Sequence, residues 1–235
     1  MHFWPLISII TPLINERDCV KPFFEQLRTL NGDFELILVD GGSSDGTLEE
    51  VRKNVKEFSH ATRLLEAGLG RAAQMERGAE EAIGEILLFL HIDCLIPKES
   101  LKLIETEISE NGIIGGAFKQ TFSNPDSFLR FMSIFGNLRS QLTGTFFGDY
   151  GIFLRKDVFL RIGGYDNTPF LEDVELCRKA KRYGRLAQID SYILTSSRRY
   201  LSNGKLRTTL IFTVVCLLNF LRLRPRFFIK YMAHK

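Results

Sequence analysis

The chain has 235 residues, 45% hydrophobic and 25% charged, enough for one large domain with a sizeable core. Its 31 Lys and Arg against 28 Asp and Glu leave a net charge of +3, too small to argue for a nucleic-acid partner. Cys19, Cys94, Cys177 and Cys216 form no C-x-x-C pair and no Cys/His cluster. They suggest neither a disulfide framework nor a zinc site, and they fit a reducing cytosol. The sequence turns apolar at residues 6–10 without a basic stretch ahead of it, so no secretory signal is expected.

Residues 6–10 form a short apolar run closed by Thr11-Pro12, consistent with a buried strand. Val20, Phe23, Phe24, Leu27 and Leu30 then recur at helical spacing, predicting a helix over 18–30. A second strand over 34–39 ends in a glycine-rich acidic turn. An amphipathic helix over 47–58 follows, with Leu48, Val51, Val55 and Phe58 on one stripe. Further on come a helix rich in small residues over 72–83, a strand over 86–90 and a helix over 100–108. Strands alternating with helices indicate a layered α/β domain with a mainly parallel sheet.

After about residue 113 the pattern changes. Residues 115–122 read as a strand, and an aromatic helix follows through Phe128, Phe131, Met132 and Phe135. Core packing is the first reading of those aromatics, and the wall of an acceptor site is the second. Residues 152–154 and 192–194 read as strands, and 174–183 as a helix. Residues 208–221 are nearly all apolar between Arg207 and Arg222, and Arg224, Arg226 and Lys230 follow. Fourteen helical residues span roughly 21 Å, short of the roughly 30 Å hydrocarbon core of a bilayer. The segment therefore docks on the domain, pairs two copies of the chain, or lies in a membrane surface. The division expected is a domain over 1–205 and an apolar, basic helical tail over 206–235.

Acidic and turn residues recur where strands end. Carboxylates at the carboxyl ends of strands in an open α/β sheet converge on one crevice. The first group is Pro12, Asn15, Glu16, Asp40 and Asp45. Asp40 directly follows a strand, where a carboxylate accepts hydrogen bonds from a base or ribose. Asp45 is equally placed to cap the helix starting at Thr47. The second group is His91-Ile92-Asp93. Alternate residues at a strand end share a face, so His91 and Asp93 can address one divalent metal, with Ile92 between them. Asp149, in Gly148-Asp149, belongs to the same series. The third group is Gly163-Gly164-Tyr165-Asp166 with Glu172-Asp173, where a carboxylate can act as a general base or simply favour a helix N-terminus. Arg71, Arg198 and Arg199 are the cations available to a diphosphate, since guanidinium groups hold phosphate oxygens in a fixed fork. No G-x-G-x-x-G follows the first strand, which argues against a dinucleotide-binding domain.

In this order the motifs resemble family 2 glycosyltransferases of GT-A fold: a Rossmann-like, mainly parallel sheet flanked by helices. The resemblance covers about residues 6–205. The family's T-P-x-x-N-E is matched by Thr11 to Glu16, and its V-D-x-x-S-x-D-x-T turn by Val39 to Thr47. These imply a nucleotide pocket involving Pro12, Glu16, Asp40 and Arg71. The D-x-D metal motif appears as His91-Ile92-Asp93, so that Asp93, with His91, implies a Mg²⁺ or Mn²⁺ site. The G-G-[FY]-x…E-D segment is matched by Gly163 to Asp173 and implies Asp173 as base beside Glu172. The later [QR]-x-x-R-W element is only approximated by Ser196 to Tyr200. The resemblance implies an inverting transfer of one sugar from a nucleotide-diphosphate sugar, with UDP as the first nucleotide to test, to an acceptor hydroxyl. An acceptor carried on a lipid fits if 208–235 touches a membrane, and the setting is then the inner face of the cytoplasmic membrane. A catalytically silent nucleotide-sugar binder or membrane scaffold is the alternative from another class. A nucleotidyltransferase is disfavoured because Thr11 to Arg17 carries no glycine-rich phosphate loop.

Overall fold

Three aliphatic runs, β1 (Ile7–Leu13), β2 (Phe34–Asp40) and β4 (Ile86–Phe89), lie side by side in the sheet, and β3 (Thr62–Glu66) pairs with β2 at its end. The computed structural model describes residues 6–220 without 69, 124 and 167–170, and at 199, 215–217, 219 and 220 it describes backbone alone. Every residue of β1, β2 and β4 is buried, because helices cover both faces of the sheet. That explains their unbroken apolar sequence in place of alternation. Along β1, Ile7 and Ile9 enter one core while Ile10 enters the other.

The first core is completed by α1 (Arg17–Leu27), α2 (Thr47–Val55) and α4 (Ser100–Ser109), through Phe23, Phe24, Val51, Leu101 and Ile104. The second is completed by α3 (Arg71–Glu81), α6 (Lys156–Arg161) and α7 (Glu172–Ala180), through Met75, Ala79, Phe159 and Leu176. The remaining strands are β5 (Cys94–Leu95), β6 (Gly115–Phe122), β7 (Ile152–Arg155) and β8 (Leu186–Thr195). Among the described residues eight strands form one sheet, in the order β3-β2-β1-β4-β7-β6-β8-β5. The alternating strand and helix pattern and the mainly parallel α/β sheet expected from the sequence are present.

Strand directions decide where the site falls. β2, β1 and β4 are parallel, so their carboxyl ends share one edge. β7 runs antiparallel to both β4 and β6, and β6 is parallel to β8. The carboxyl ends of β6 and β8 therefore return to that edge, as does the amino end of β7. A 3₁₀ turn, Gly148–Tyr150, leads into β7 there.

The structure departs from the sequence reading at the edges. β3 had no counterpart in that reading. Its five residues are only partly covered at the sheet's end, so the segment lacks an apolar run. Strand β8 is ten residues long where three were expected. The larger difference concerns α5 (Ser127–Thr143), whose aromatics do not pack in the core. Its buried residues are Leu129, Ser133, Asn137 and Ser140, while Phe131, Ile134, Phe135, Leu138 and Leu142 are exposed. Asn137 fastens this inward polar face to β6, accepting from the Gln120 N–H at 2.8 Å and donating to the Gln120 carbonyl at 2.9 Å. Two further helices, α8 (Arg198–Asn203) and α9 (Lys205–Phe220), follow β8. No helix among the described residues is long and apolar enough to cross a membrane. The expected tail continues beyond α9 into 221–235, which lie outside the described residues.

Candidate functional site

The shared strand edge holds a cleft of about 490 Å³. Eight of the residues singled out from the sequence line it: Asn15, Glu16, Arg71, His91, Asp93, Asp149, Asp173 and Arg198. Each arrives by a separate route. Asn15 and Glu16 follow β1, His91 and Asp93 follow β4, and Asp149 sits in the turn before β7. Asp173 opens α7, and Arg198 opens α8 after β8.

Backbone strain marks the same place. Among the described residues the non-glycine residues with positive φ are Asn15, at 52°, and Leu171, at 55°, and both line the cleft. Such conformations cost free energy and persist only where surroundings fix them. Asn15 is held by its carboxamide oxygen, which accepts from the Ser44 N–H at 2.9 Å, and by its own N–H, which donates to Ser43 Oγ at 3.0 Å.

The acidic turn after β2 supports this edge from behind. Asp40 is 2% exposed, and its carboxylate accepts from the Gly42 and Ser43 N–H groups at 2.9 Å each and from the Ser43 hydroxyl at 2.5 Å. Asp45 accepts from Thr47 N–H and hydroxyl and from the Arg17 N–H, tying the start of α2 to the start of α1. Desolvation raises its carboxyl pKa, but the Thr47 hydroxyl and the backbone donors outweigh this and hold it below the usual value. Pro12 lies within β1, and Ile92 is buried in the first core. None of these four residues lines the cleft. Arg199 falls in α8, and its side chain lies outside the described set.

His91, Asp93 and Cys94 present ligand atoms that all lie within 4.8 Å of one another. The sequence reading found no Cys/His cluster; the turn after β4 makes one by folding Cys94 back beside His91. Burial, then the charges of Asp93 and Asp149, push the Cys94 thiol well above its usual pKa, and sulfur is a soft donor that Mg²⁺ and Mn²⁺ do not favour. His91 and Asp93 remain as the donors suited to a divalent ion. An imidazole in the set suits Mn²⁺ better than Mg²⁺, a hard cation that takes oxygen. Arg198 spans this end, with Nη2 2.8 Å from Glu16 Oε2 and 3.5 Å from Asp93 Oδ2.

Opposite lie Glu172 and Asp173, both buried at the start of α7. Burial first, and then the neighbouring Glu172 charge, raise the Asp173 carboxyl to about 7. Arg71 and the N–H groups of Gly148 and Val174 work against that rise. Arg71 makes its ion pair with Glu172 at 3.3 Å, and the charges of Asp173, Asp149 and Asp93 also bear on it. The Gly163-Gly164-Tyr165-Asp166 segment stays outside the cleft and braces α7. The Tyr165 N–H donates to Glu76 Oε2 at 2.7 Å, and Lys179 of α7 donates to the Gly164 carbonyl and to Asp166.

Gly148 joins the two halves. Its N–H donates to Asp173 Oδ2 at 2.5 Å. A Cβ there would stand 2.9 Å from His91 Nε2 and 3.6 Å from Asp173 Oδ2. Gly148→Ala therefore displaces the imidazole, and because small misplacements at a reacting centre are costly we expect about a tenfold loss of turnover. Steady-state kinetics on the variant, with its fold checked by circular dichroism, measure this. The sequence reading placed Gly148 only beside Asp149; for the far wall of the cleft it gave Met132 and Phe135 of α5 as the second reading of the aromatic helix, and it missed Arg139, Phe147, and Thr209, Phe212 and Thr213 of α9. The Ser133, Asn137, Ser140 spacing was the available signal that α5 turns its polar side inward.

The family model for glycosyl transferase family 2 matches residues 8–163, about two thirds of the sequence. The chain belongs to this family. Among curated relatives of this family 2 chain, glycosyltransferase AglE of Haloferax volcanii is 26% identical over 211 residues, covering 77% of this chain and 69% of AglE. The undecaprenyl-phosphate 4-deoxy-4-formamido-L-arabinose transferase of Klebsiella pneumoniae is 26% identical over 157 residues, 63% of this chain. The matched region spans 47% of that relative's length. Solved structures share the GT-A fold. The mannosyltransferase PcManGT of Pyrobaculum calidifontis, in complex with GDP-Man and Mn²⁺, superposes with a TM-score of 0.68 at 19% identity, over 82% of this chain and 57% of that one. S. aureus TarS 1-349 in complex with UDP-GlcNAc gives 0.64 at 20% identity, over 81% and 58%.

Proposed function

We propose that this family 2 chain is an inverting glycosyltransferase that moves one sugar from a nucleotide-diphosphate sugar to an acceptor hydroxyl with the assistance of a divalent metal. The observation that carries the reading is the pairing, across Gly148, of a buried carboxyl raised to about 7 with a His91–Asp93 metal-ligand pair in the same cleft. Asp173 takes the acceptor proton as that oxygen bonds to the anomeric carbon, and the bond to the diphosphate breaks on the opposite face, inverting the centre. His91 and Asp93 would hold the ion, whose chemistry is neutralisation of charge on the departing diphosphate. Glu16 and Arg198 orient the donor side, and Arg71 sets the charge around Asp173.

The donor class is supported by the GDP-Man and UDP-GlcNAc bound to structural neighbours, and the metal by the Mn²⁺ of PcManGT. UDP is the first nucleotide to test. The name of the arabinose transferases supports an acceptor carried on a lipid, as does the apolar far wall with Met132, Phe135, Phe147 and Phe212. In this reading residues 1–205 carry the transfer, and 206–235 make a peripheral contact with the inner face of the cytoplasmic membrane.

Calorimetric titration of a nucleotide-diphosphate panel, with and without Mn²⁺, on wild type and Asp93→Ala tests it. One nucleotide should bind with Mn²⁺ and bind at least about tenfold more weakly to the variant, since second-shell changes alone cost that much in metal sites. Binding that ignores both metal and variant would transfer support to the silent binder. No binding to any nucleotide would sink the donor assignment.

A further inference from the structure

Helix α5 is amphipathic in the reverse sense. A helix at the surface of a water-soluble domain buries its apolar stripe and exposes its polar one. Here Ser133, Asn137 and Ser140 face the sheet, and Ser133 Oγ donates to Gln120 Oε1 at 3.2 Å beside the two Asn137 bonds. Phe131, Ile134, Phe135, Leu138 and Leu142 are 52–77% exposed. At 3.6 residues per turn these five positions fall on one narrow stripe with the exposed Arg130 on one flank, while Arg139 on the other turns its guanidinium onto the Phe147 ring, 4.1 Å from its centroid. Helix α5 contains no acidic residue. An exposed apolar stripe with a basic flank and no acidic residue suits a helix lying in a membrane interface.

Charge along the chain selects the occupant. No Asp or Glu occurs after Asp190, and the last 45 residues hold nine Lys or Arg. The first 190 residues carry a net charge of −6. The basic segment starts at the same face as α5: Lys205, which opens α9, pairs with Asp126, the cap of α5, and both helices line the cleft. Leu206 and Leu210 of α9 are exposed as well. A second copy of the chain would bring two such basic segments together across a two-fold axis, which like charges oppose. An anionic lipid surface complements both the charge and the apolar stripe.

We propose that the outward face of α5, together with the exposed Leu206 and Leu210 at the start of α9, seats the protein on an anionic bilayer, with the cleft opening between α5 and α9 toward the lipid. This assigns α5 a contact beyond the one proposed above for 206–235, and it concerns where the protein sits, whatever donor it uses.

The test is flotation of the full chain with vesicles of phosphatidylcholine alone or with about a third phosphatidylglycerol, comparing wild type with Ile134→Glu/Leu138→Glu. Neither of these positions lines the cleft. Wild type should float with the anionic vesicles and far less with the neutral ones, and 0.5 M salt should weaken the binding. The double variant should lose at least about tenfold in partitioning, two acidic side chains being costly in an apolar interface. Nucleotide titration of the same variant reports the fold and the donor site separately, so a failure there is distinct from a failure here. As a second measurement, Leu142→Trp in a Trp4→Phe background should shift to the blue on anionic vesicles and be quenched by brominated lipid. Equal flotation of the double variant, or an unquenched Trp at 142, would overturn the proposal. So would a wild-type dimer in sedimentation velocity that the double variant converts to monomer while neither floats.

Discussion

Asp173→Asn should lower turnover by about 10³-fold while leaving nucleotide affinity within about twofold, because general-base catalysis contributes on the order of 10²–10⁴. The amide keeps the shape and can still accept one of the N–H bonds that Gly148 and Val174 now give the carboxylate. It cannot take a proton. The wild-type pH profile carries the same signature. A base works deprotonated, so activity should rise with pH and level off above an apparent pKa near 7, the value to which burial and Glu172 raise this group. Stability should run the other way. The folded carboxyl binds its proton more tightly than the unfolded one, whose reference value is 3.8. Between about pH 4 and 7 the folded chain retains a proton that the unfolded chain has released, and stability falls as pH rises through that window. Asp173→Asn removes the contribution, so its melting temperature should fall less than that of wild type between pH 5 and 8. Rate profiles and thermal denaturation on both proteins measure the two effects. Loss of nucleotide binding in the variant would show that the base lies elsewhere.

The parts of the fold legible in the sequence are those in which one local pattern had one structural meaning. The runs at 6–10, 34–39 and 86–90 are unbroken because both faces of the sheet are covered, and the helices between them carry regular stripes for the first and second cores. The strand ends were legible for the same reason: Asn15, Glu16, His91 and Asp93 stand just past the last buried residue of β1 or β4. Positions whose surroundings come from distant segments were harder to read. Asp40 follows a strand as Asp93 nearly does, yet Ser43 and Gly42 fold back to satisfy its carboxylate, and nothing in the residue type separates the two cases. Cys94 joins His91 because the chain turns sharply after β4. The clearest misreading was α5. Its aromatic spacing is that of a core helix, and the inversion becomes evident only when Ser133, Asn137 and Ser140 are read as the inward side, bonded to β6. Periodicity establishes that a helix has two faces; the partners of the polar face decide which one points inward.

Arg71→Met should shift the pH–rate profile about one unit or more to higher pH, and the reason is the company that arginine keeps. From the sequence it was a candidate for the donor diphosphate. In the structure its ion pair is with Glu172, and its charge lowers the carboxyl pKa of Asp173 against the opposing effects of burial and Glu172. Without it the Asp173 proton is held more tightly and less of the base is free at neutral pH. Glu172, buried, is also left without its counter-charge. Breaking a fully buried pair costs about 3–5 kcal/mol, and because Arg71 is itself 40% exposed we expect about half that in urea denaturation. A second substitution separates the two roles. Glu172→Gln removes the charge that raises Asp173 and the carboxylate that Arg71→Met strands, so the double variant should move back toward the wild-type profile and recover part of the lost stability. The two changes couple because both act on one carboxyl group. If Arg71 instead holds the diphosphate, nucleotide affinity falls in the single variant and stays low in the double one. Titration of the donor nucleotide on the four proteins of this cycle, beside their pH profiles, distinguishes an arginine that adjusts the base from one that binds the leaving group.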